Sequence, residues 1–110
     1  MQVMEKHFLR VSSEFSDTPG ARYYTDGDNS GEEFYDKILK SAFKSALDDG
    51  SELVIDLDGT EGYATSFLDE AFVRLVKDFG KKEVLKTIKI VSVEEPDWIQ
   101  EIQNYINEAQ

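Results

Sequence analysis

Apolar residues in this chain recur at two spacings, and the switches between them mark out its elements. Phe34, Ile38, Leu39, Ala42, Phe43, Ala46 and Leu47 fall at helical intervals, and the run stops at Asp48-Asp49-Gly50, where Gly50 suits the left-handed position after a helix. Phe67, Leu68, Ala71, Phe72, Leu75, Val76 and Phe79 form a second stripe, with Asp69 and Glu70 expected in its first turn, Lys77 near its end and Gly80 after it. Trp98, Ile99, Ile102 and Ile106 make a third, opened by Pro96 at a first helical position.

Strand signals fill the intervals. The opening MQVMEKHFLRV carries Phe8, Leu9 and Val11, and ARYYT, at Ala21 to Thr25, predicts a second, short strand after the turn-forming SSEFSDTPG. ELVIDL is a continuous apolar run, as expected of a central strand covered on both faces in a parallel sheet, and TIKIVSV is a further strand after the lysine-rich KKEVLK. The order β-β-α-β-α-β-α predicts one small α/β domain over residues 1–110, with about four strands in a mixed sheet and about three helices. Right-handed crossovers make the strands at 53–57 and 87–93 parallel.

Composition narrows the function. With 110 residues, 40% hydrophobic and 12% aromatic, the chain can bury one core but not a core plus a large cap or cofactor domain. A net charge of −11, from 23 acidic and 12 basic residues, repels nucleic-acid backbones and anionic lipid headgroups, so neither nucleic acid nor membrane is expected as a partner. The charge is uneven. Asp48 to Glu70 holds eight carboxylates and no base, whereas Arg74 to Lys89 holds six bases against Asp78 and Glu83, a dipolar surface able to orient a protein partner. Cysteine is absent, which removes disulfides and thiol chemistry. No stretch has membrane-spanning length and the N-terminus lacks the apolar core of a signal peptide, so the expected location is cytoplasmic.

Three motifs invite chemical readings. Asp56-x-Asp58 with Gly59 and Thr60, at the end of an apolar strand, looks like the first motif of the haloacid dehalogenase phosphatases, in which Asp56 would attack phosphate and Asp58 serve as acid and base, with magnesium bound nearby. Ser92 would supply the hydroxyl such an enzyme needs after a second strand. Only eighteen residues follow it, leaving no later strand for the paired acids that complete the site. Asp26 to Lys37 imitates a calcium loop, yet its twelfth position is lysine and no helix precedes it; Ser30 and Glu33 read better as the capping box of the next helix. His7 is the single histidine and is expected to be structural or exposed, and Arg22, Tyr23 and Tyr24 receive no role. No catalytic residue, metal ligand or cofactor is expected.

What remains is GYATSFLDE, Gly62 to Glu70. Ser66 and Asp69 fit the S-x-x-[DE] cap pattern, placing the hydroxyls of Thr65 and Ser66 at a positive helix end on the carboxyl edge of the sheet, where sites collect in α/β folds.

FSDTPGARY (Phe15 to Tyr23), SGEEF (Ser30 to Phe34), IDLDGTEGYATSFLDEAF (Ile55 to Phe72) and LVKDFG (Leu75 to Gly80) together resemble the STAS-like family of unknown function, a bacterial relative of the anti-sigma factor antagonists, over about Phe8 to Val93. The resemblance implies a small STAS-type sheet and a non-enzymatic signalling module. In the antagonists a D-S-S-G-L segment opens the corresponding helix, and its second serine is phosphorylated by a serine kinase of the histidine-kinase ATPase superfamily. Here ATSFL puts Thr65 and Ser66 in the serine places and Leu68 in the leucine place, while Ala64 replaces the aspartate and Phe67 the glycine. Ser66 and Thr65 are therefore the phosphorylation candidates. Thr65, Ser66, Asp69 and Glu70 are the expected partner-binding surface, and a histidine-kinase-like ATPase the implied partner. The competing readings are a magnesium-dependent phosphohydrolase using Asp56 and Asp58, and a ligand-sensing or structural subunit.

Overall fold

The computed structural model describes residues 5–109. Three strands, β1 (Lys6–Arg10), β2 (Glu52–Asp56) and β3 (Ile88–Val91), form a sheet in the order β1-β2-β3, with both pairs parallel. The register sets Phe8 beside Val54 and Val54 beside Lys89, so β2 is central as its apolar run predicts. Strands running the same way need long crossovers, and helices supply them.

The first crossover contains α1 (Val11–Glu14), a loop with one 3₁₀ turn at Tyr24–Asp26, and then α2 (Gly31–Phe34), a π-helical segment (Tyr35–Leu39) and α3 (Lys40–Asp49) joined end to end without leaving helical dihedrals. The second contains α4 (Thr65–Phe79) and α5 (Lys81–Thr87); α6 (Asp97–Glu108) follows β3. Gly50 ends α3 with φ 68 in the left-handed region, as the sequence requires. Ser30 caps α2 by accepting from the Glu33 N–H at 3.0 Å. The reciprocal half of the capping box is missing, because the Glu33 carboxylate pairs instead with Lys37 at 3.1 Å.

Four expectations need correction. Ala21 to Thr25 is not a strand, so the sheet has three strands among the described residues and is wholly parallel rather than mixed. The cause is local: the Ala21 and Arg22 carbonyls accept from the N–H groups of Gly31 and Glu32, the donors that the first turn of α2 leaves free, and the Glu32 carboxylate accepts from Tyr24 N–H. Backbone groups satisfied by a helix end have nothing left for a sheet edge. Second, the helical pieces exceed three, since Val11 begins α1 and the lysine-rich run forms α5. Third, the expected first strand starts at Lys6, and its portion at residues 1–4 lies outside the described residues.

The fourth correction concerns the sheet's faces. Leu9, Leu53 and Ile55 point toward the helices and are buried, whereas Phe8 on the alternate face is 72% exposed and Glu52 and Asp56 are half-buried. Among the described residues helices thus cover β2 on one side; on the other, Val54 is still buried, flanked in register by Phe8 and Lys89. All helical stripes meet in one core. Phe34, Leu39, Phe43 and Ala46 come from the first crossover, Phe67, Leu68, Ala71, Phe72, Leu75 and Val76 from α4, and Ile102 and Ile106 from α6. A chain of aromatic rings runs through it toward the carboxyl edge of the sheet, with centroids 5.3 Å apart for Phe15–Phe34, 5.6 Å for Phe34–Phe67, 5.7 Å for Tyr63–Phe67 and 6.0 Å for Tyr63–Trp98.

Candidate functional site

The start of α4 lies just beyond the carboxyl end of β2, and its geometry departs from the expected cap. The N-cap is Ala64, in extended conformation and with no side-chain bond to the helix; Thr65 is the first helical residue and Ser66 the second. Ser66 therefore does not cap. Asp69 and Glu70 lie beyond the first turn, which has no acid of its own. Phe67 N–H donates to the Ala64 carbonyl at 3.1 Å in a tight opening turn, which leaves the earliest N–H groups without an intrahelical acceptor.

Exposure separates the two hydroxyls. Thr65 is exposed and Ser66 half-buried, while Phe67 and Leu68 are buried immediately behind them. Phe67, which stands where the antagonists' pattern has glycine, is packed between the rings of Phe34 and Tyr63. Gly31 makes that packing possible: a β-carbon there would lie 2.5 Å from the Phe67 carbonyl oxygen, so only glycine lets α2 approach α4 this closely.

Asp69 and Glu70 are brought together with two arginines. Arg22 Nη1 donates to Asp69 Oδ2 at 2.8 Å and to Glu70 Oε1 at 3.4 Å; Arg74 bonds the other Glu70 oxygen and reaches Glu32 Oε2 at 3.0 Å. The pairs form one relay that ties the loop before α2, the first turn of α2 and the face of α4. Hydrogen bonding to Asp69 raises the Arg22 pKa first of all, with burial opposing, and Glu70 does the same for Arg74. Tyr105 from α6 completes the surroundings. Its phenol is raised chiefly by burial and further by Glu101 and Asp69, against the opposing influence of Thr65 and Arg22. Among the described residues, Glu101 Oε2 is buried without a hydrogen-bond partner.

Reasoning from the sequence passed over Arg22. A signal was there: it is the sole base between Arg10 and Lys37, and the acidic stretch ending at Glu70 has no base of its own.

Asp56 and Asp58 both accept from backbone N–H groups of the loops at the carboxyl edge of the sheet. Asp56 Oδ1 accepts from Asp58 N–H at 2.9 Å, and the two oxygens of Asp58 accept from the N–H groups of Glu94 and Val93 at 2.9 and 3.1 Å. Glu94 returns the contact by accepting from Gly59 N–H at 2.6 Å. Asp58 and Glu94 thus stitch the loop after β2 to the loop after β3. Ser92 is buried and donates to the Glu95 carbonyl at 2.6 Å, so its hydroxyl is engaged locally too. These loops bound a cleft of about 250 Å³ that Tyr63 and Trp98 also line. Tyr63 is held by its own hydroxyl, which donates to the Leu57 carbonyl at 2.8 Å. Among the described residues no group of three or more His, Cys, Asp or Glu side chains is arranged to hold a metal ion. His7 lies 2.9 Å from Asp49 and ties β1 to the end of α3. None of the helices described is long and apolar enough to cross a membrane.

No curated protein and no solved structure matches the chain. A family model described as a STAS-like domain of unknown function matches residues 30–98. That span begins at the Ser30 cap and ends at Trp98, leaving the FSDTPGARY motif before it and taking in β2, β3 and the whole first part of α4. With more than half of its length matched, and with the small parallel α/β architecture described above, the chain belongs to this STAS-like family.

Proposed function

We propose that this protein is a non-catalytic regulatory module acting as a single domain in the cytoplasm, which docks on a protein partner through the opening of α4. The observation that carries the reading is the uncapped start of that helix inside a STAS-like domain, with exposed Thr65 at its first position and half-buried Ser66 at its second. A histidine-kinase-like ATPase is the partner we favour, by likeness to the anti-sigma factor antagonists, and Ser66 and Thr65 are the positions it would phosphorylate. Sequence position favours Ser66, exposure Thr65.

The chemistry around them suits a switch. A phosphate at either hydroxyl would accept from the free N–H groups of the first turn and gain from the positive end of the helix. It would also repel Asp69 and compete with it for the Arg22 guanidinium. Phosphorylation would then draw Arg22 from its carboxylates and loosen the loop between α1 and α2, so that one covalent event alters both the charge and the shape of the docking surface.

The test is incubation of the full chain with ATP and a serine kinase of the histidine-kinase ATPase superfamily, with phosphate located by mass spectrometry. Phosphate on Ser66 or Thr65, lost in Ser66→Ala or Thr65→Ala, is expected. Absence of phosphate at both positions while an antagonist control is modified would remove the switch from the reading.

A further inference from the structure

β3 is an edge strand, and its free side meets an apolar cleft. In a parallel ladder alternate residues direct both backbone groups toward one neighbour. Val91 faces β2, since its carbonyl accepts from Leu57 N–H at 2.8 Å, and Lys89 faces it by the same alternation. Ile88 and Ile90 therefore direct their groups outward. The Ile88 N–H is taken by the Val84 carbonyl at the end of α5, and among the described residues no strand lies beside the outward Ile88 carbonyl and the two outward backbone groups of Ile90. The same two residues place half-buried side chains on the helix face of the sheet. There, with Leu85, Ile99, Ile102 and Ile106, they wall a cleft of about 210 Å³ beside the edge.

Charge identifies what fits. The cleft lining includes Lys89 and no carboxylate, on a chain whose net charge is −11. The cation at this edge is Lys89, exposed on an acidic protein. A second copy paired symmetrically about Lys89 would set lysine against lysine, which like-charge repulsion across strands disfavours.

We propose that the free edge of β3 accepts an extended segment of a partner protein as a fourth strand, with the pattern apolar–acidic–apolar. The two apolar side chains, opposite Ile88 and Ile90, would enter the cleft; the acidic one between them, on the other face, would pair with Lys89. Ile90 would supply the central pair of main-chain hydrogen bonds. The proposal uses none of the residues of the Thr65 surface and does not rest on the reading given for it.

The experiment titrates the ¹⁵N-labelled full chain with the blocked peptide Ser-Val-Glu-Val-Ser and, separately, Ser-Val-Lys-Val-Ser. The glutamate peptide is expected to shift the amide signals of residues 85–92 and of the α6 face, to slow exchange of the Ile90 amide proton, and to bind more tightly than the lysine peptide. Lys89→Glu should reverse that order without unfolding the domain, because Lys89 is exposed. N-methylation of the peptide's Val, Glu and Val amides, which removes the inward N–H groups whichever way the strand runs, should abolish strand addition. No response at about 1 mM peptide, the weak end of specific recognition, would overturn the proposal. So would an equal response to both peptides, or shifts centred on Thr65 to Glu70.

Discussion

Arg22 and Asp69 stand 47 positions apart in sequence, yet a guanidinium nitrogen of one lies 2.8 Å from a carboxylate oxygen of the other. Both side chains are about one-third exposed, so solvent screening keeps the bond modest. Arg22→Gln should cost about 1 kcal/mol, read as a lower urea midpoint at unchanged slope. Because the partners share one relay, Arg22→Gln with Asp69→Asn should cost less than the sum of the single changes. The wild-type advantage should shrink in high salt.

The contact between α2 and α4 has a sharper steric limit. Gly31→Ala drives a β-carbon into the Phe67 carbonyl and should destabilise by about 1–3 kcal/mol. Phe67→Ala should cost about 3–5 kcal/mol by emptying the aromatic chain. Thermal unfolding distinguishes these from exposed Ser41→Ala, which should leave the midpoint nearly unchanged. Near-neutral values for Gly31→Ala would mean the helices are less closely packed than described.

Asp58 separates a structural from a catalytic role. Asp58→Ala removes the acceptor of two loop N–H groups and should lower stability by about 1–2 kcal/mol. The wild-type chain should turn over no p-nitrophenyl phosphate with magnesium, leaving no activity for the variant to lose. Turnover by wild type that disappears in Asp56→Asn would restore the phosphohydrolase.

Alkali should expose the buried phenols. Burial raises the pKa of Tyr35 and Tyr63 well above the ordinary value near 10, and in Tyr35 the hydrogen bond to Asp78 adds to the shift. In the unfolded chain both ionise near 10, so above that pH the unfolded state binds fewer protons and stability falls as pH rises. Urea midpoints should be insensitive to these groups below about pH 9 and fall beyond about pH 10, with a limiting slope of about 1.4 kcal/mol per pH unit for each phenol. Tyr35→Phe should reduce the slope. A midpoint flat to pH 11 would contradict the burial.

The parts of the fold that sequence made legible are those with a long repeating pattern. α3, α4 and α6 announced themselves by their apolar stripes, and β2 and β3 by runs bounded with glycine and proline chemistry. ARYYT misled because strand propensity describes a residue's side chain, whereas the backbone there was claimed by the free N–H groups of α2. Ser66 misled in a similar way. Its spacing to Asp69 matched a capping box, but α4 begins at Thr65 and Asp69 turns to Arg22, a contact across the fold that no local window contains. The location of the candidate surface was readable from the sequence, and the relay that shapes it was not.

The π-helical segment at Tyr35–Leu39 has a consequence for how this chain can vary in length. Phe34 and Leu39 are both buried although five positions separate them, a step that would set side chains about 140° apart on a regular α-helix. The wider turn closes that angle and keeps both in the core. Removing one exposed residue, Asp36 or Lys37, would relax the segment to α geometry with Phe34 and Leu39 four positions apart, about 40° from each other on one face. Ser30 and Gly31 would keep their place against α4, and the loop bearing Arg22 with them. One residue of this stretch is thus dispensable to the docking surface, whereas loss of a second would turn that surface away by about 100°.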